Sequence, residues 1–457
     1  MRRFFWEYLL LAGMWLWVFP YSQSLNNPNE RTRMLQARAL IESGDFSIGR
    51  IERRGQRWVA IDVYGNAHRY DAIRGNAFVN DVALVCDNAA LSPPTCTGNI
   101  YPAKPPGAAL LALPALWLAS MAGWVPGGPE GESRATWVLR YGGVLPLILV
   151  GLLALLYLLR EAAVAPDRRR AILLASAIGT GVFPYGFMLV GHATAGAALL
   201  TSIAAVVRAT RVTGTWGAAL ICGVAGHIAG WAVLLEYHAA IGVLVLCAWM
   251  VFRIRPAFLR RGWLIVTAFL AGGGAAAALF GLIHQHMFGH VWKTGHAYLM
   301  SAHNRASQSA GFLGMDGIHL DAFLGHVVNP YMGLAPLMSW LALGLVGLFI
   351  LRGVNRVNAS GLVAVGMIVA AYLVFVSTLG QWRTMNGWSI GPRYLAPAMF
   401  PMAYMAGVIW DRLARKATLF GVLFSATAFA SIVMVGLSTA AYPSPPNSIG
   451  NTFSELV

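Results

Sequence analysis

Apolar residues along this chain come in runs of roughly 20, the length that a helix needs to cross a bilayer core. About eleven such runs can be marked, near residues 4–21, 135–159, 171–190, 193–209, 214–235, 237–252, 263–287, 331–351, 359–379, 394–410 and 418–441. The polar turns between them are of two kinds. One set is short and rich in arginine: Arg2/Arg3, Arg160 with Arg168 to Arg170, Arg208/Arg211, Arg253/Arg255/Arg260/Arg261, Arg352/Arg356 and Arg412/Arg415/Lys416. The other set is longer and carries nearly every group fit for chemistry: residues 22–106, residues 288–330, and the tract from Trp382 to Tyr394. Lys and Arg in short loops favour the cytoplasm. The pattern therefore predicts an all-α polytopic membrane protein with a cytoplasmic N-terminus, a functional face on the outer side, and a tail after Tyr442 on that same side. With turns so short, residues 1–457 form a single membrane domain.

Two features adjust this picture. The first run follows Arg2 and Arg3 as a signal peptide would, but no small-residue cleavage site follows Phe19-Pro20-Tyr21, so it is expected to be a retained helix. The apolar stretch 107–125, counted as a crossing, would put Arg168 to Arg170 on the outer side. The charge rule instead makes it an interfacial or re-entrant helix.

Composition agrees: 57% of residues are hydrophobic and only 11% are charged. The formal charge of +15 does not indicate nucleic acid, because about half of the basic residues are the turn arginines, which suit membrane orientation and anionic headgroups. The first outer loop is nearly balanced, with eight acidic residues against ten basic ones, as expected of a folded polar cap. Within it, Asn29 reads as a helix cap with Glu30 at the positive end of the helix dipole. Ser47 to Arg53 and Trp58 to Tyr64 read as a small hairpin around Arg54-Gly55, and the remainder to Pro106 as loop. Cys86 and Cys96 share this loop, either as a disulfide in an oxidising compartment or as two free thiols; Cys222 and Cys247 lie in apolar runs.

Several residues have the right type and place for chemistry, each beside a plainer role. Lys104 sits between Tyr101-Pro102-Ala103 and Pro105-Pro106, where prolines stiffen the backbone above the membrane. It is suited to a phosphate or to snorkelling. Arg393 follows Gly391-Pro392 and fits a phosphate or a lipid headgroup. Glu236 and His238 lie near the outer end of an apolar run, where a carboxylate is either functional or paired structurally. His286 and His290 have the i,i+4 spacing of metal ligands, without a local acidic third ligand. No glycine-rich phosphate loop, nucleophile elbow or dinucleotide fingerprint is present, which argues against a nucleotide-sugar donor.

The order of motifs resembles the polytopic GT-C glycosyltransferases, in particular a bacterial polyprenyl-phosphate-sugar-dependent group related to the protein mannosyltransferase and aminoarabinose transferase-like families. The resemblance covers most of the chain. Asn29-Glu30-Arg31-Thr32-Arg33 with Ala39 to Phe46 looks like the group's segment after the first helix. Tyr101 to Gly107 matches a "YxxKPPG" segment, and Pro184-Tyr185 with Gly191-His192, and Glu236-Tyr237, match two more. Thr294-Gly295-His296 resembles a "TGY" segment with histidine for tyrosine, and Gly387 to Leu395 resembles "GGxSxGPRYL" with Asn386 in place of the first glycine. The insertion from Gly75 to Gly98 departs from the group's shorter loop.

What the resemblance implies is an inverting glycosyltransferase of the bacterial inner membrane, with a periplasmic site. Sugar would pass from a polyprenyl-phosphate donor to an envelope acceptor: a glycan, a lipid or a protein. Glu30 would be the general base, or else merely a helix-start carboxylate. Lys104, Arg393 and Arg33 would hold the phosphate. Tyr101, His192, Glu236, Tyr237, His296, Ser389 and Tyr394 would line the substrate. Members of the superfamily differ in their use of a divalent ion, so a metal stays open, with His286 and His290 as candidates. The competing class is a polytopic transporter or lipid flippase, which would be expected to show internal repeats and midplane charges; the sequence has neither. A non-catalytic relative acting as an assembly partner is the third reading.

Overall fold

The computed structural model describes residues 5–18, 28–69, 82–88, 96–254, 262–301, 305–306, 308, 311, 314–350, 359–382 and 390–441. Asp81, His303, Arg352/Arg356, Ser389 and the tail after Tyr442 lie outside the described residues. In chain order the helices are α1 (Phe5–Val18), α2 (Pro28–Glu42), α3 (Gly107–Met121), α4 (Glu132–Leu139), α5 (Leu145–Glu161), α6 (Pro166–Ile178), α7 (Val182–Gly186), α8 (His192–Ala209) and α9 (Thr215–Leu235). They continue with α10 (Ala240–Ile254), α11 (Gly262–Phe288), α12 (Leu320–Val327), α13 (Leu334–Leu337), α14 (Ser339–Ile350), α15 (Ala359–Ser377), α16 (Ala396–Lys416) and α17 (Thr418–Ala441).

The protein is mostly helical and of membrane type. Among the described residues, five helices are long and apolar enough to cross a bilayer: the continuous stretch Pro129–Glu161, then His192–Ala209, Thr215–Leu235, Gly262–Phe288 and Thr418–Thr439. Gly107–Met121, Tyr237–Phe252 and Gly361–Ser377 are apolar but shorter. The expected eleven spans therefore do not all form as continuous helices among the described residues. The run 171–190 shows why: α6 stops at Ile178, Gly179 and Pro184 interrupt the ladder, and only the five-residue α7 follows.

At the centre of the bundle is α16, buried without a break from Ala396 to Asp411 and packed against α8, α14, α15 and α17. Its two ends differ in chemistry. Arg393 and Tyr394 precede its first turn. At its last turns the buried Asp411 accepts hydrogen bonds from Arg168 Nη1 at 2.6 Å, Arg415 Nε at 2.8 Å and the Ala165 amide at 3.1 Å. At about 1.5 Å rise per residue, the helix holds these groups apart by most of a bilayer. The same polarity repeats: α8 runs from His192 to Arg208, and α9 from the Arg211 turn to Leu235, just before Glu236. Among the described residues, the turns carrying Arg168, Arg211 and Arg415 gather at one end of the bundle, where Arg211 also pairs with Glu161, and the candidate chemistry lies at the other.

The cap holds more strand than the sequence predicts. β1 (Gly49–Arg54) and β2 (Arg57–Asp62) form the expected hairpin, and β3 (Ala67–Arg69), β4 (Val82–Cys86) and β5 (Gly98–Pro102) complete an antiparallel five-stranded sheet in the order β3-β2-β1-β5-β4. The β4 and β5 segments are short, and their pairing is decided by the partner strand rather than by local alternation. Cys86 and Cys96 are joined as a disulfide at the β4–β5 end of the sheet. The cap is fastened to the bundle by Arg38 of α2, which donates to Pro126 O at 2.9 Å and to Gly128 O at 2.8 Å. α2 begins at Pro28, a residue pre-set for the first helical position, so Asn29 lies in the first turn rather than capping it. Its carbonyl accepts from Thr32 Oγ1 and Arg33 Nη1, both at 3.1 Å.

Candidate functional site

At the end of the bundle opposite the arginine turns is a cavity of about 320 Å³. Its polar side carries Asn29, Arg33, Lys104, His192, Glu236 and Arg393; Ile241, Leu244, Phe375 and Leu379 form an apolar wall. Tyr237, His238, His296 and Tyr394 also face it, with Gln308 and Met315 from the second outer loop. Segments spread over most of the chain thus converge, several of them at helix ends.

The sharpest break is at Glu236. After Leu235 the backbone leaves the helix for an extended conformation, φ −154° and ψ 119°, then restarts as a 3-10 turn from Tyr237 to Ala239. This puts Glu236 and His238 into the cavity together, where His192 meets them. His192 Nδ1 lies 2.9 Å from Glu236 Oε2, and His238 Nδ1 lies 3.5 Å from Oε1. The approach depends on Gly191: a Cβ there would fall 1.8 Å from the Leu235 carbonyl oxygen. His238 is held by stacking on Phe375 at 5.4 Å, and its carbonyl accepts from Tyr372 OH at 3.2 Å.

Tyr237 is oriented from behind. His284 is buried and its Nδ1 lies 2.8 Å from the Lys293 carbonyl, so that nitrogen carries the proton. Nε2 is then the acceptor, and the Tyr237 hydroxyl donates to it at 3.2 Å. Gly295 gives the second close approach, since a Cβ would meet Ala103 Cα at 2.5 Å. That contact sets His296 beside the Lys104 strand. Arg393 packs over the Tyr394 ring at 5.2 Å and, with Lys104 and Arg33, gives the cavity three cations. Glu236 is the one carboxylate lining it among the described residues.

Not every expected residue is here. Glu30 does not line the cavity. It is 2% exposed, and Arg140 grips it with Nε to Oε1 at 3.0 Å, Nη2 to Oε1 at 2.8 Å and Nη2 to Oε2 at 3.0 Å, while the Leu189 amide donates to Oε1 at 2.7 Å. Oε1 thus accepts three of these bonds and Oε2 one, and the carboxylate is turned to Arg140 rather than to the cavity. Tyr101 packs against Phe288 beneath the cap, outside the cavity, and burial pushes its phenol above the ordinary value. His286 and His290 do not form a metal pair. α11 ends at Phe288 and Gly289, with φ +67°, turns the chain, so His290 leaves the helical face. His286 instead meets Asp45 at 3.1 Å, and His290 Nδ1 accepts from the Trp292 amide at 3.2 Å. The group whose ligand atoms do cluster, all within 4.8 Å of one another, is His192, Glu236 and His238. Arg140 escaped the sequence reading, though a lone arginine inside an apolar run was a signal in itself.

No protein-family model and no curated protein matches the chain. Among solved structures it is similar to ArnT from Cupriavidus metallidurans in the apo state, at a TM-score of 0.45 and 15% identity, over 91% of this chain and 61% of that one. It is also similar to the Archaeoglobus fulgidus oligosaccharyltransferase in complex with Zn and sulfate, at a TM-score of 0.43 and 17% identity, over 76% of this chain and 46% of that one. The chain spans less than two thirds of the length of either.

Proposed function

We propose that this protein is an inverting membrane glycosyltransferase that moves a sugar from a polyprenyl-phosphate donor to a hydroxyl of an envelope acceptor: a glycan, a lipid or a protein. The observation that carries the reading is the meeting of Arg33, Lys104 and Arg393 with the single carboxylate Glu236 in one cavity walled on its other side by apolar residues. The motifs that resemble GT-C enzymes supply the same residues.

The chemistry asks for this charge pattern. A sugar phosphodiester bears one negative charge; when the bond from the anomeric carbon to oxygen breaks, its electron pair stays on the phosphate as a second. Three cations in a desolvated cavity stabilise that growing charge. The acceptor oxygen forms the new bond from the opposite face of the sugar, which inverts the carbon, and its proton leaves toward the His192–Glu236–His238 group. Glu30 is not assigned this step, because its oxygens are taken by Arg140 and the Leu189 amide. Ile241, Leu244, Phe375 and Leu379 are suited to the prenyl chain. In this reading the protein lies in the bacterial inner membrane, N-terminus in the cytoplasm and cavity facing the periplasm.

The test is transfer of label from a panel of polyprenyl-phosphate sugars by purified protein in lipid. Glu236→Gln is expected to abolish transfer with donor still bound. If wild-type protein binds no lipid-phosphate sugar, the reading fails and transport assays become the next experiment.

A further inference from the structure

We propose that His192, Glu236 and His238 form a binding site for a divalent transition metal of the zinc class, whose occupancy is coupled to a lipid phosphate on the neighbouring cations. The metal site itself stands on the three side chains; its coupling to a phosphate rests on the glycosyltransferase reading.

The donor set is chemically specific. Two imidazoles and one carboxylate, with a fourth position left open, are the ligands of catalytic zinc sites. Ligand atoms about 2.0–2.1 Å from a tetrahedral ion stand about 3.3 Å from one another. The two histidines approach opposite oxygens of the carboxylate, His192 Nδ1 at 2.9 Å from Oε2 and His238 Nδ1 at 3.5 Å from Oε1, so each pair is near that spacing. One ligand atom from each of the three lies within 4.8 Å of the others, so side-chain rotation alone closes the set.

The second observation is what these atoms lack. His192 Nδ1 and Glu236 Oε2 have only their 2.9 Å contact with each other, without the alignment of a good hydrogen bond, and His238 Nε2 is buried without a hydrogen-bond partner. Glu236 is only 7% exposed and faces the cavity. Buried polar atoms in native proteins are nearly always satisfied, and a cation held by one ligand atom of each of the three side chains would satisfy them. The elements are also built to hold this geometry: Gly191 allows the backbones to touch, Glu236 interrupts its helix, and Phe375 fixes the His238 ring.

Electrostatics sets the coupling. Arg33, Lys104 and Arg393 line the same cavity and oppose a further cation, so the bare site is expected to hold zinc weakly. An anionic phosphate on those side chains removes the opposition. By linkage, phosphate then tightens zinc by the same factor that zinc tightens phosphate, typically about 5–150-fold. A metal held there would lower the pKa of a hydroxyl bound to it, so that with metal present the acceptor proton passes to solvent, and only the metal-free group takes the proton itself.

The experiment uses the full chain, purified without a histidine tag, stripped with a chelator and titrated with zinc, with and without farnesyl phosphate. Metal content is read by elemental analysis, and coordination by the visible spectrum of the cobalt(II) form. Expected are one metal per chain, a tetrahedral cobalt spectrum, and zinc affinity raised at least 5-fold by farnesyl phosphate. His192→Ala, Glu236→Gln and His238→Ala should each lower affinity at least about 100-fold, while the His286→Ala/His290→Ala double variant keeps it. Melting temperatures taken in parallel, with His238→Asn as a milder second variant, separate ligand loss from misfolding. Absence of stoichiometric metal under both conditions, or affinity unchanged in folded ligand variants, overturns the site. Zinc binding that ignores farnesyl phosphate overturns the coupling. Binding is read without turnover, so its failure is distinct from failure of the transfer reading: label transfer by fully metal-free protein overturns a functional metal and leaves the glycosyltransferase standing.

Discussion

Arg140 and Glu30 form a buried ion pair, with guanidinium nitrogens 2.8 to 3.0 Å from both carboxylate oxygens and each side chain no more than 3% exposed. The pair joins the first turn of α2 to a π-turn, Arg140–Val144, in the long helix that follows, and through the Leu189 amide to the chain just before His192. It therefore sets the cap over the bundle at the rim of the cavity. Removing one partner strands a buried charge, at a cost of about 3–5 kcal/mol. Arg140→Ala should show this as lost thermal stability in detergent, whereas Glu30→Met with Arg140→Met should be nearer wild type. A double variant as unstable as the single would sink this account.

The cations are expected to act on the transition state rather than merely on binding. Lys104→Ala or Arg393→Ala should lower kcat/KM for the lipid donor by about 10²–10³-fold, the usual effect of removing one group that stabilises developing charge. Arg393→Lys should recover only part of the loss, since an ammonium does not reproduce the planar fork of a guanidinium. Steady-state kinetics at fixed ionic strength check this, and a change confined to KM would count against it.

Gly191 is the closest backbone contact beside the cavity. Gly191→Ala would drive a methyl into the Leu235 carbonyl and separate His192 from Glu236. Overpacking of this kind costs about 1–3 kcal/mol, and transfer should fall further than stability does. Gly214→Ala, where a Cβ meets nothing within 4 Å, is the matched control. Equal activity in the two variants would show that the Gly191 contact does not position the site.

Cap stability should depend on acid through Asp62. Burial works to raise its carboxyl pKa, but hydrogen bonds from His68, from Asn66 and from the Tyr64 amide outweigh it and hold the group below the ordinary range. A depressed carboxyl stabilises the fold above its unfolded value, about 3.9, and that contribution is lost as pH falls through the folded one. Unfolding followed from pH 7 downward should show the β2–β3 corner weakening below about pH 4, and Asp62→Asn should flatten this dependence. An unchanged profile in the variant would refute it.

Much was legible in the chain because hydropathy and charge are additive along it. The apolar runs, the arginine turns and the outer placement of Lys104, His192, Glu236, Tyr237, His296, Arg393 and Tyr394 are local properties, and all seven residues do meet in one cavity. The β1–β2 hairpin was likewise local. Strands β4 and β5 were not, since β5 is completed by β1 from the start of the cap and β4, which pairs with β5, is bridged on its other edge to Leu299.

What only the tertiary structure decided is which neighbour each charge has. Glu30 begins a helix in a polar loop and Glu236 ends an apolar run, and neither local setting tells which carboxylate stays available. Arg140, 110 residues from Glu30, neutralises it and takes it out of reach. Gly191 and the broken helix end at Glu236 leave the other carboxylate in the cavity between two histidines. His286 and His290 had the spacing of ligands, but one turn at Gly289 separates them. A residue's type and the polar or apolar segment it sits in follow from sequence alone; its electrostatic partner depends on long-range packing, and that partner determines whether a charge holds the fold together or remains available for chemistry.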